Sequence, residues 1–450
     1  MNIIIAGTGK VGLTLARQLS AEGHDITLID RDNAVLEEAL EQFDAISICG
    51  NCASKEILLQ AGVGSADLMI AVTNADEVNL LCCMTAHGIR PNLHTIARIR
   101  NPEYAEQVIT MPEVFPLSLT VNPEKQAAVE IERLLKYPGF LRRDTFANGR
   151  VEIVELRIDE KSKLRDVALS DLSRIVKCKV LVCAVLRQGA AIAPKGDFIL
   201  RQNDRIFVTA PTPVLTELLD NLGIITRKVR NVLICGGSRV SYYLASLLEK
   251  DGINVCLMDK DRTRCVELAT LLEKTSVVCG DCSNQSFLDA QGIDRTDALI
   301  SLTGIDETNM IISLYGGNRN VPQVITMLGR GESIIADSLN LGSIICPKEL
   351  CSNNIVRYVR AMQNQTGAAV TVHTIADGQM EAVEFLVDDT TKNCGMPLKQ
   401  LKFKPNVLIA GISRGTQTQI PNGDSTFCQG DTIVVVTSGG VLSNINDIFA

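Results

Sequence analysis

Two short motifs in this 450-residue chain bring together residues able to do chemistry. The first is Gly7-Thr8-Gly9-Lys10-Val11-Gly12. In such a turn between strand and helix, the first glycine lets the chain bend sharply and the second admits a pyrophosphate against the backbone. The third lets the helix pack close to the sheet. N–H groups at the helix start then point at the phosphates. Asp30 follows 18 residues after Gly12, at an expected strand end, where a carboxylate accepts hydrogen bonds from ribose hydroxyls. Its charge repels a 2′-phosphate, which favours NAD or an adenosine nucleotide over NADP. The second motif is Cys49-Gly50-Asn51-Cys52, matched by Cys279-Gly280-Asp281-Cys282. One C-x-x-C ligates zinc or cycles as a dithiol, and two supply four thiolates to one ion.

The surrounding periodicity says which elements hold these residues. Short apolar strands are expected over 3–6, 25–30, 45–49 and 68–73, with helical spacing at Val11, Leu15, Ala16 and Leu19 and again over 35–42. This βαβαβ order predicts a parallel, doubly wound Rossmann-type sheet with right-handed crossovers. The pattern then recurs. NIIIAGTGKVGLTLARQLSAEGHDITLIDRD (2–32) aligns without a gap to NVLICGGSRVSYYLASLLEKDGINVCLMDKD (231–261), and AVTNADEVNL (71–80) to SLTGIDETNM (301–310). A second piece also repeats: CKVLVCAVLRQGAAIAPKGDFILRQNDRIFVT (178–209) resembles 404–437, each with a P-x-G-D turn at Pro194 or Pro421. Seven residues after that turn's Asp stands another, Asp204 or Asp431, opening an apolar strand. The chain therefore reads as A-B-A′-B′. B units have strands separated by Pro, Gly and Asp turns, with a helix-compatible stretch over 164–176, and are expected to be small α+β lobes.

In the second copy the loop is Gly236-Gly237-Ser238-Arg239-Val240-Ser241. Only the first fingerprint glycine survives, and a side chain at Ser238 crowds the phosphate path. Asp259 still ends the second strand. Nucleotide binding through Gly236, Gly237, Ser238, Arg239, Asp259 and Asp281, and a pseudo-repeat without ligand, both remain open for this half. Both C-x-x-C segments fall at the end of the third strand, so duplication of the whole unit accounts for their recurrence. There the fold needs glycine followed by a small polar residue near the adenosine end, which singles out Asn51 and Asp281.

Composition excludes several classes. Net charge is −8, with pI about 5.3, so nothing suggests nucleic-acid binding. The start MNIIIAGTG runs straight into a strand pattern, so no signal peptide is read. No apolar run approaches the roughly 18–20 residues that cross a bilayer, so direct membrane insertion is not expected. Many of the fifteen cysteines lie inside apolar runs and read as small buried residues of a reducing cytosol. His24, His87, His94 and His373 are scattered and form no recognisable nucleophilic arrangement, and no G-x-x-x-x-G-K-[ST] is present. ATP is therefore expected as a ligand and not as a fuel.

The segments 2–32 and 71–80, with TIARIRNPEY, VNPEKQAAVEIERLLKYPG, ICPKELCSNNIVRYVR and the two P-x-G-D turns, resemble the peripheral subunits of Trk potassium-uptake systems. Those carry tandem RCK (KTN) domains. The resemblance spans essentially the whole chain and implies two Rossmann lobes, each followed by a C-terminal α+β lobe, with boundaries at 1–140, 141–225, 226–365 and 366–450. It further implies a homo-oligomeric ring, a tetramer or another ring, peripheral on the cytoplasmic face of the inner membrane. The partner would be a Trk-type membrane potassium channel or transporter, gated by NAD(H) and by ATP or ADP. Carried over, the resemblance makes Gly7, Thr8, Gly9, Lys10 and Val11, with Gly12, the phosphate loop and Asp30 the ribose anchor, flanked by Arg31, Asn51 and Cys52. Thr73 and Asn74 lie beside the ligand, with Glu77 and Asn79 opening the next helix. Arg98 is the candidate for a phosphate or a subunit contact, and the aligned second-half position is Leu328. The expectation is a regulatory binding protein without enzymatic activity. The alternative is an NAD-dependent oxidoreductase or a C-x-x-C redox sensor.

Overall fold

The computed structural model describes residues 1–137, 139–147, 149–160, 162–224, 228–329, 339, 341–362, 369–438, 442 and 444–450. The expected boundaries at 225/226 and 365/366 lie outside them. Two compact units result: residues 1–129 with 346–358, and residues 130–345 with 359–450.

In the first unit the order is β1 (Asn2–Ala6), α1 (Lys10–Ala21), β2 (Asp25–Asp30), α2 (Asn33–Leu40), β3 (Ile46–Cys49), α3 (Lys55–Gln60), β4 (Leu68–Ala71), α4 (Asp76–Ile89), β5 (His94–Arg98), α5 (Pro102–Thr110) and β6 (Leu119–Val121). The strands form one parallel sheet in the order β3-β2-β1-β4-β5-β6. Central strands such as LMIA are buried throughout, because helices cover both faces. α1 turns Val11, Leu15, Ala16 and Leu19 inward, the stripe its spacing predicted. Strand order reverses between β1 and β4, so the crevice for a ligand opens at their carboxyl ends.

The next helix, α6 (Pro123–Lys136), begins in this unit and ends in the other. In the second unit the antiparallel lobe is β7 (Arg142–Phe146), β8 (Val151–Arg157), β9 (Leu181–Arg187), β10 (Ala190–Ile192), β11 (Arg205–Pro211) and helix α7 (Leu215–Leu222), in sheet order β10-β9-β11-β8-β7. The second Rossmann lobe follows: β12 (Asn231–Cys235), α8 (Arg239–Lys250), β13 (Asn254–Asp259), α9 (Arg262–Leu271), β14 (Ser276–Cys279), α10 (Gln285–Ala290), β15 (Ala298–Ser301), α11 (Asp306–Asn318), β16 (Gln323–Met327) and β17 (Ser343–Ile345). Its sheet repeats the order of the first, β14-β13-β12-β15-β16-β17. Helix α12 (Pro347–Met362) leads to β18 (Ala369–Ile375), β19 (Met380–Leu386), β20 (Val407–Arg414), β21 (Gln417–Gln419) and β22 (Thr432–Thr437), ordered β18-β19-β22-β20-β21.

The two linking helices are held by specific contacts within their units. The start of α12 belongs to the first unit, where the Tyr358 hydroxyl lies 2.8 Å from His94 Nδ1. The end of α6 belongs to the second, where Gln323 Nε2 donates to the Leu134 carbonyl at 2.9 Å. The antiparallel sheets share a core in which Phe146, Ile153 and Phe207 meet Ile375, Met380 and Val434.

One sequence expectation meets a correction here. Residues 164–176 form no α-helix: Asp166 is left-handed (φ 62°), Ala168 bridges to Ile199, and only the 3₁₀ segment Leu169–Arg174 is helical. Leu164 and Val176 still enter the lobe core, which explains the helix-like spacing. His373 is satisfied by a carboxylate, with Nδ1 3.1 Å from Asp144 Oδ1, and the Phe146 ring packs edge-on against it. Burial raises the Asp144 pKa, but the Arg142 charge and His373 more than offset this and bring it to about 2. The repeated aspartates after each P-x-G-D turn are buried and hold arginines in two-pronged pairs. Asp204 binds Arg187 at 2.8 and 2.7 Å, and Asp431 binds Arg414 at 2.8 and 2.8 Å.

Candidate functional site

At the end of β1, Gly7 adopts φ 96°, and a Cβ there would lie 2.8 Å from the Thr73 nitrogen. A Cβ on Gly12 would sit 1.9 Å from the Gly7 carbonyl oxygen. These two glycines are demanded by the protein's own packing. Gly9 differs: a Cβ there would meet nothing within 4 Å. Gly9 is also the cap residue of α1, and no side chain caps that helix. Its first-turn N–H groups thus face an open cradle able to receive phosphate oxygens.

Asp30 braces this loop. Its Oδ2 accepts from both the Thr8 N–H and the Thr8 hydroxyl at 2.7 Å, and its Oδ1 accepts from the Asp32 N–H at 3.1 Å. Burial raises its pKa, but these hydrogen bonds outweigh that and hold the carboxyl below its ordinary value. Asp30 therefore orders the loop. Thr8 is fully buried, and Val11 turns into the core. Lys10 and Arg31 are exposed.

Across the crevice, Asn79 organises the β4 and β5 ends. Its Oδ1 accepts from the Thr73 N–H at 2.8 Å and the Thr73 hydroxyl at 2.7 Å, while Nδ2 donates to the Arg98 carbonyl at 2.9 Å. Arg98 is nearly buried, and its Nη2 donates to the Thr73 carbonyl at 2.6 Å and to Asn74 Oδ1 at 3.2 Å. Its Nε is buried without a hydrogen-bond partner among the described residues. Burial first, and the nearby Arg100 charge second, disfavour its charged form. An oxyanion would relieve both effects. Glu77 is farther out and accepts from the Tyr104 hydroxyl at 2.9 Å.

Sequence reasoning missed two residues of this frame. Buried Asp76 accepts from the N–H groups of Arg100 and Asn101 at 2.7 and 2.8 Å, and pairs with Arg100 Nε at 3.3 Å. Arg100 also donates to the Asn74 carbonyl. The signal was present as a second arginine two residues after Arg98, but only the fold brings it back over Asn74.

The two C-x-x-C segments are not dithiol sites. Gly50 and Gly280 are required because a Cβ would strike Ile57 at 2.5 Å and Phe287 at 2.3 Å. Cys49 is exposed, whereas Cys52 is buried and hydrogen-bonds the buried Cys82 thiol; this holds the Cys52 pKa below its ordinary value and pushes that of Cys82 well above. In the second half, Cys282 likewise turns inward onto Cys235. Asn51 and Asp281 are exposed and fold back locally, accepting from the Ala53 N–H at 3.2 Å and the Ser283 N–H at 2.9 Å. No cluster of three or more metal-ligating groups occurs among the described residues.

The second Rossmann lobe keeps the frame and changes the cradle. Asn309 repeats the clamp of Asn79, accepting from the Thr303 N–H at 2.8 Å and donating to the Met327 carbonyl at 2.8 Å. That bond and the strand register place Met327 at the position of Arg98, which corrects the aligned residue from Leu328. Helix α11 is one residue shorter than its counterpart α4, which shifts the match. Gly236 keeps the left-handed turn (φ 106°), and Asp259 accepts from the Gly237 N–H at 2.5 Å. The Ser238 hydroxyl, however, accepts from the Ser241 N–H at 3.2 Å and so caps α8 itself. The Ser241 hydroxyl donates to the Gly236 carbonyl at 2.5 Å, and Arg264 Nε donates to the Gly237 carbonyl at 2.7 Å. Arg239 is exposed beside this closed loop.

Comparison with known proteins agrees with this architecture. The TrkA-N domain model matches residues 3–112 and 232–334, and the TrkA-C domain model matches 153–223 and 382–450. A Trk system potassium uptake protein TrkA homolog from Archaeoglobus fulgidus is 31% identical over 450 residues, covering 100% of both chains. The Trk system potassium uptake protein TrkA of Vibrio alginolyticus is 30% identical over 444 residues, 97% of this chain and 95% of its own. Among solved structures, the GsuK RCK domain superposes with a TM-score of 0.60 at 16% identity, covering 97% of this chain and 92% of that one. The GsuK channel bound to NAD also gives 0.60 at 16% identity, covering 97% of this chain and 77% of that one. With both domain models matched twice in tandem and relatives aligned from end to end, the chain belongs to the TrkA family of potassium-uptake proteins.

Proposed function

We propose that this chain is a nucleotide-binding regulatory subunit of a Trk-type potassium-uptake system, and that its first Rossmann lobe is the NAD(H) sensor. The observation that carries the reading is the cradle at Gly9, where the loop leaves space beside an uncapped helix start while Arg98 offers a buried, incompletely paired guanidinium. Bound there, a pyrophosphate would face the N–H groups of the Gly7–Gly12 loop, and the ribose would meet Asp30 Oδ1. The names of the relatives support potassium uptake, and the GsuK structures bound to NAD and to ADP support dinucleotide and adenine-nucleotide ligands.

Such a ligand regulates only if it binds one conformation better than another. Arg98 and Asn74 give the physical means, because their mutual bonds must rearrange when phosphate oxygens compete for the guanidinium. The regulated partner would be a membrane potassium channel or transporter docked on a ring of these subunits, on its cytoplasmic face. No helix among the described residues is long and apolar enough to cross a membrane. Potassium flux through the reconstituted partner, with this chain added, should change several-fold between NAD, NADH, ATP and ADP, and a Gly9→Asp chain should lose the difference. Sustained NADH consumption with a small metabolite would instead establish an oxidoreductase.

A further inference from the structure

We infer a reversible disulfide site between Cys265 and Cys279, at the ribose edge of the second Rossmann lobe. Cys279 is the exposed member of its C-x-x-C, but its neighbour in that motif, Cys282, is buried and turned onto Cys235. The fold instead sets Cys279 beside a cysteine 14 residues earlier in the chain. Cys265 Sγ donates to the Asp259 carbonyl at 3.3 Å, and Cys279 Sγ to the adjacent Lys260 carbonyl at 3.8 Å. In the sheet, Cys279 pairs in register with Asp259. The two thiols are close enough to interact directly; burial first, and this proximity second, push the Cys265 thiol up.

The division of exposure suits thiol–disulfide exchange. A small disulfide such as glutathione disulfide reaches Cys279 but not Cys265, which is 6% exposed. The Cys279 thiolate attacks one sulfur of the oxidant, forms a mixed disulfide and expels glutathione thiolate. Cys265, on losing its proton to solvent, attacks the Cys279 sulfur, forms the internal bond and expels the second glutathione thiolate. Two protein thiols are oxidised and one glutathione disulfide is reduced to two thiols. Two further thiol pairs in the Rossmann lobes, Cys52 with Cys82 and Cys235 with Cys282, have both members buried and offer no entry. In the first lobe the position of Cys265 is held by buried Leu36, so Cys49 stands exposed without that neighbour.

The bond would fasten α9 to the end of β14. Because α9 also carries Arg264, which holds the Gly237 carbonyl, oxidation would lock the closed form of the second loop. The full chain is incubated with glutathione disulfide, alkylated under denaturing conditions, digested and mapped without reduction. The expected result is the loss of two hydrogens in a linked peptide pair carrying Cys265 and Cys279, reversed by dithiothreitol. In Cys265→Ala, Cys279 should remain as the glutathione mixed disulfide. A stable mixed disulfide or an unmodified thiol at Cys279 in the unsubstituted chain, or linkage of Cys279 to Cys282 or to another chain, would overturn the inference.

Discussion

The two Rossmann lobes share a sheet order, a clamp asparagine and an acid at the end of the second strand, yet they treat the start of their first helix in opposite ways. In the first, Gly9 leaves α1 uncapped, and Arg98 stands opposite. In the second, Ser238 caps α8, Arg264 takes the Gly237 carbonyl, and Met327 replaces the arginine. A helix start satisfies its N–H groups with capping side chains, with water or with a ligand. The comparison teaches that one copy has been kept open and the other closed upon itself, without altering the frame that supports both.

The largest expected effect comes from breaking the packing of the open copy. Gly12→Ala would put its Cβ 1.9 Å from the Gly7 carbonyl, so it should cost on the order of 1–3 kcal/mol or more in the first unit, read as a lowered midpoint of that unit's unfolding transition. Ser241 stands at the equivalent place in the closed copy, donates its hydroxyl to the corresponding carbonyl and is tolerated. Next, Arg98→Met, which imports the second lobe's residue, should weaken NAD binding by roughly 10- to 100-fold, as loss of charge-assisted hydrogen bonds of about 1.5–3 kcal/mol implies. Arg98→Lys should not restore it, since a point charge cannot reproduce the planar fork. Calorimetric titration checks both.

Acidification separates the two roles of Asp30. Its folded pKa lies below the ordinary value, so its bonds to Thr8 stabilise the loop at neutral pH and are lost only as pH falls through that depressed value. NAD affinity should therefore stay level from neutrality down to about pH 5 and decline only below about pH 4, the ordinary aspartate range. An Asp30→Asn chain should be weak throughout. The smallest effect is a partial opening of the closed copy. Ser238→Gly combined with Arg264→Ala removes the cap and the arginine contact, and should confer weak NAD binding on the second lobe, visible as a second thermal-shift response at high ligand.

Much of this was legible in the sequence, for identifiable reasons. The fingerprint loop, Asp30 and the paired Rossmann units depend on local spacing, and each strand, helix and turn near them agrees with the one before. The degraded loop at Ser238 was also visible, though not that its hydroxyl would cap α8. What lay beyond reach depended on tertiary placement. Asp76 and Arg100 are 24 residues apart and meet only because β5 runs beside β4. The C-x-x-C spacing drew attention to Cys49 with Cys52 and to Cys279 with Cys282, but the first of each pair ends its strand exposed, and the turn that follows carries the second into the core. The stretch at 164–176 showed helical spacing because its apolar residues fill one core, although a left-handed Asp166 forbids the helix. A one-residue difference in helix length, α11 against α4, displaced Arg98's counterpart from Leu328 to Met327, a shift only the strand register reveals.

The central claim is that the open loop of the first lobe is the dinucleotide sensor and the closed loop of the second is not. Calorimetric titration of the full chain with NADH, compared with a Gly9→Asp chain, tests it most directly. The account predicts about one site per chain, abolished by the substitution while the unfolding midpoint is unchanged. Two equivalent sites, or one site that survives Gly9→Asp, would contradict it.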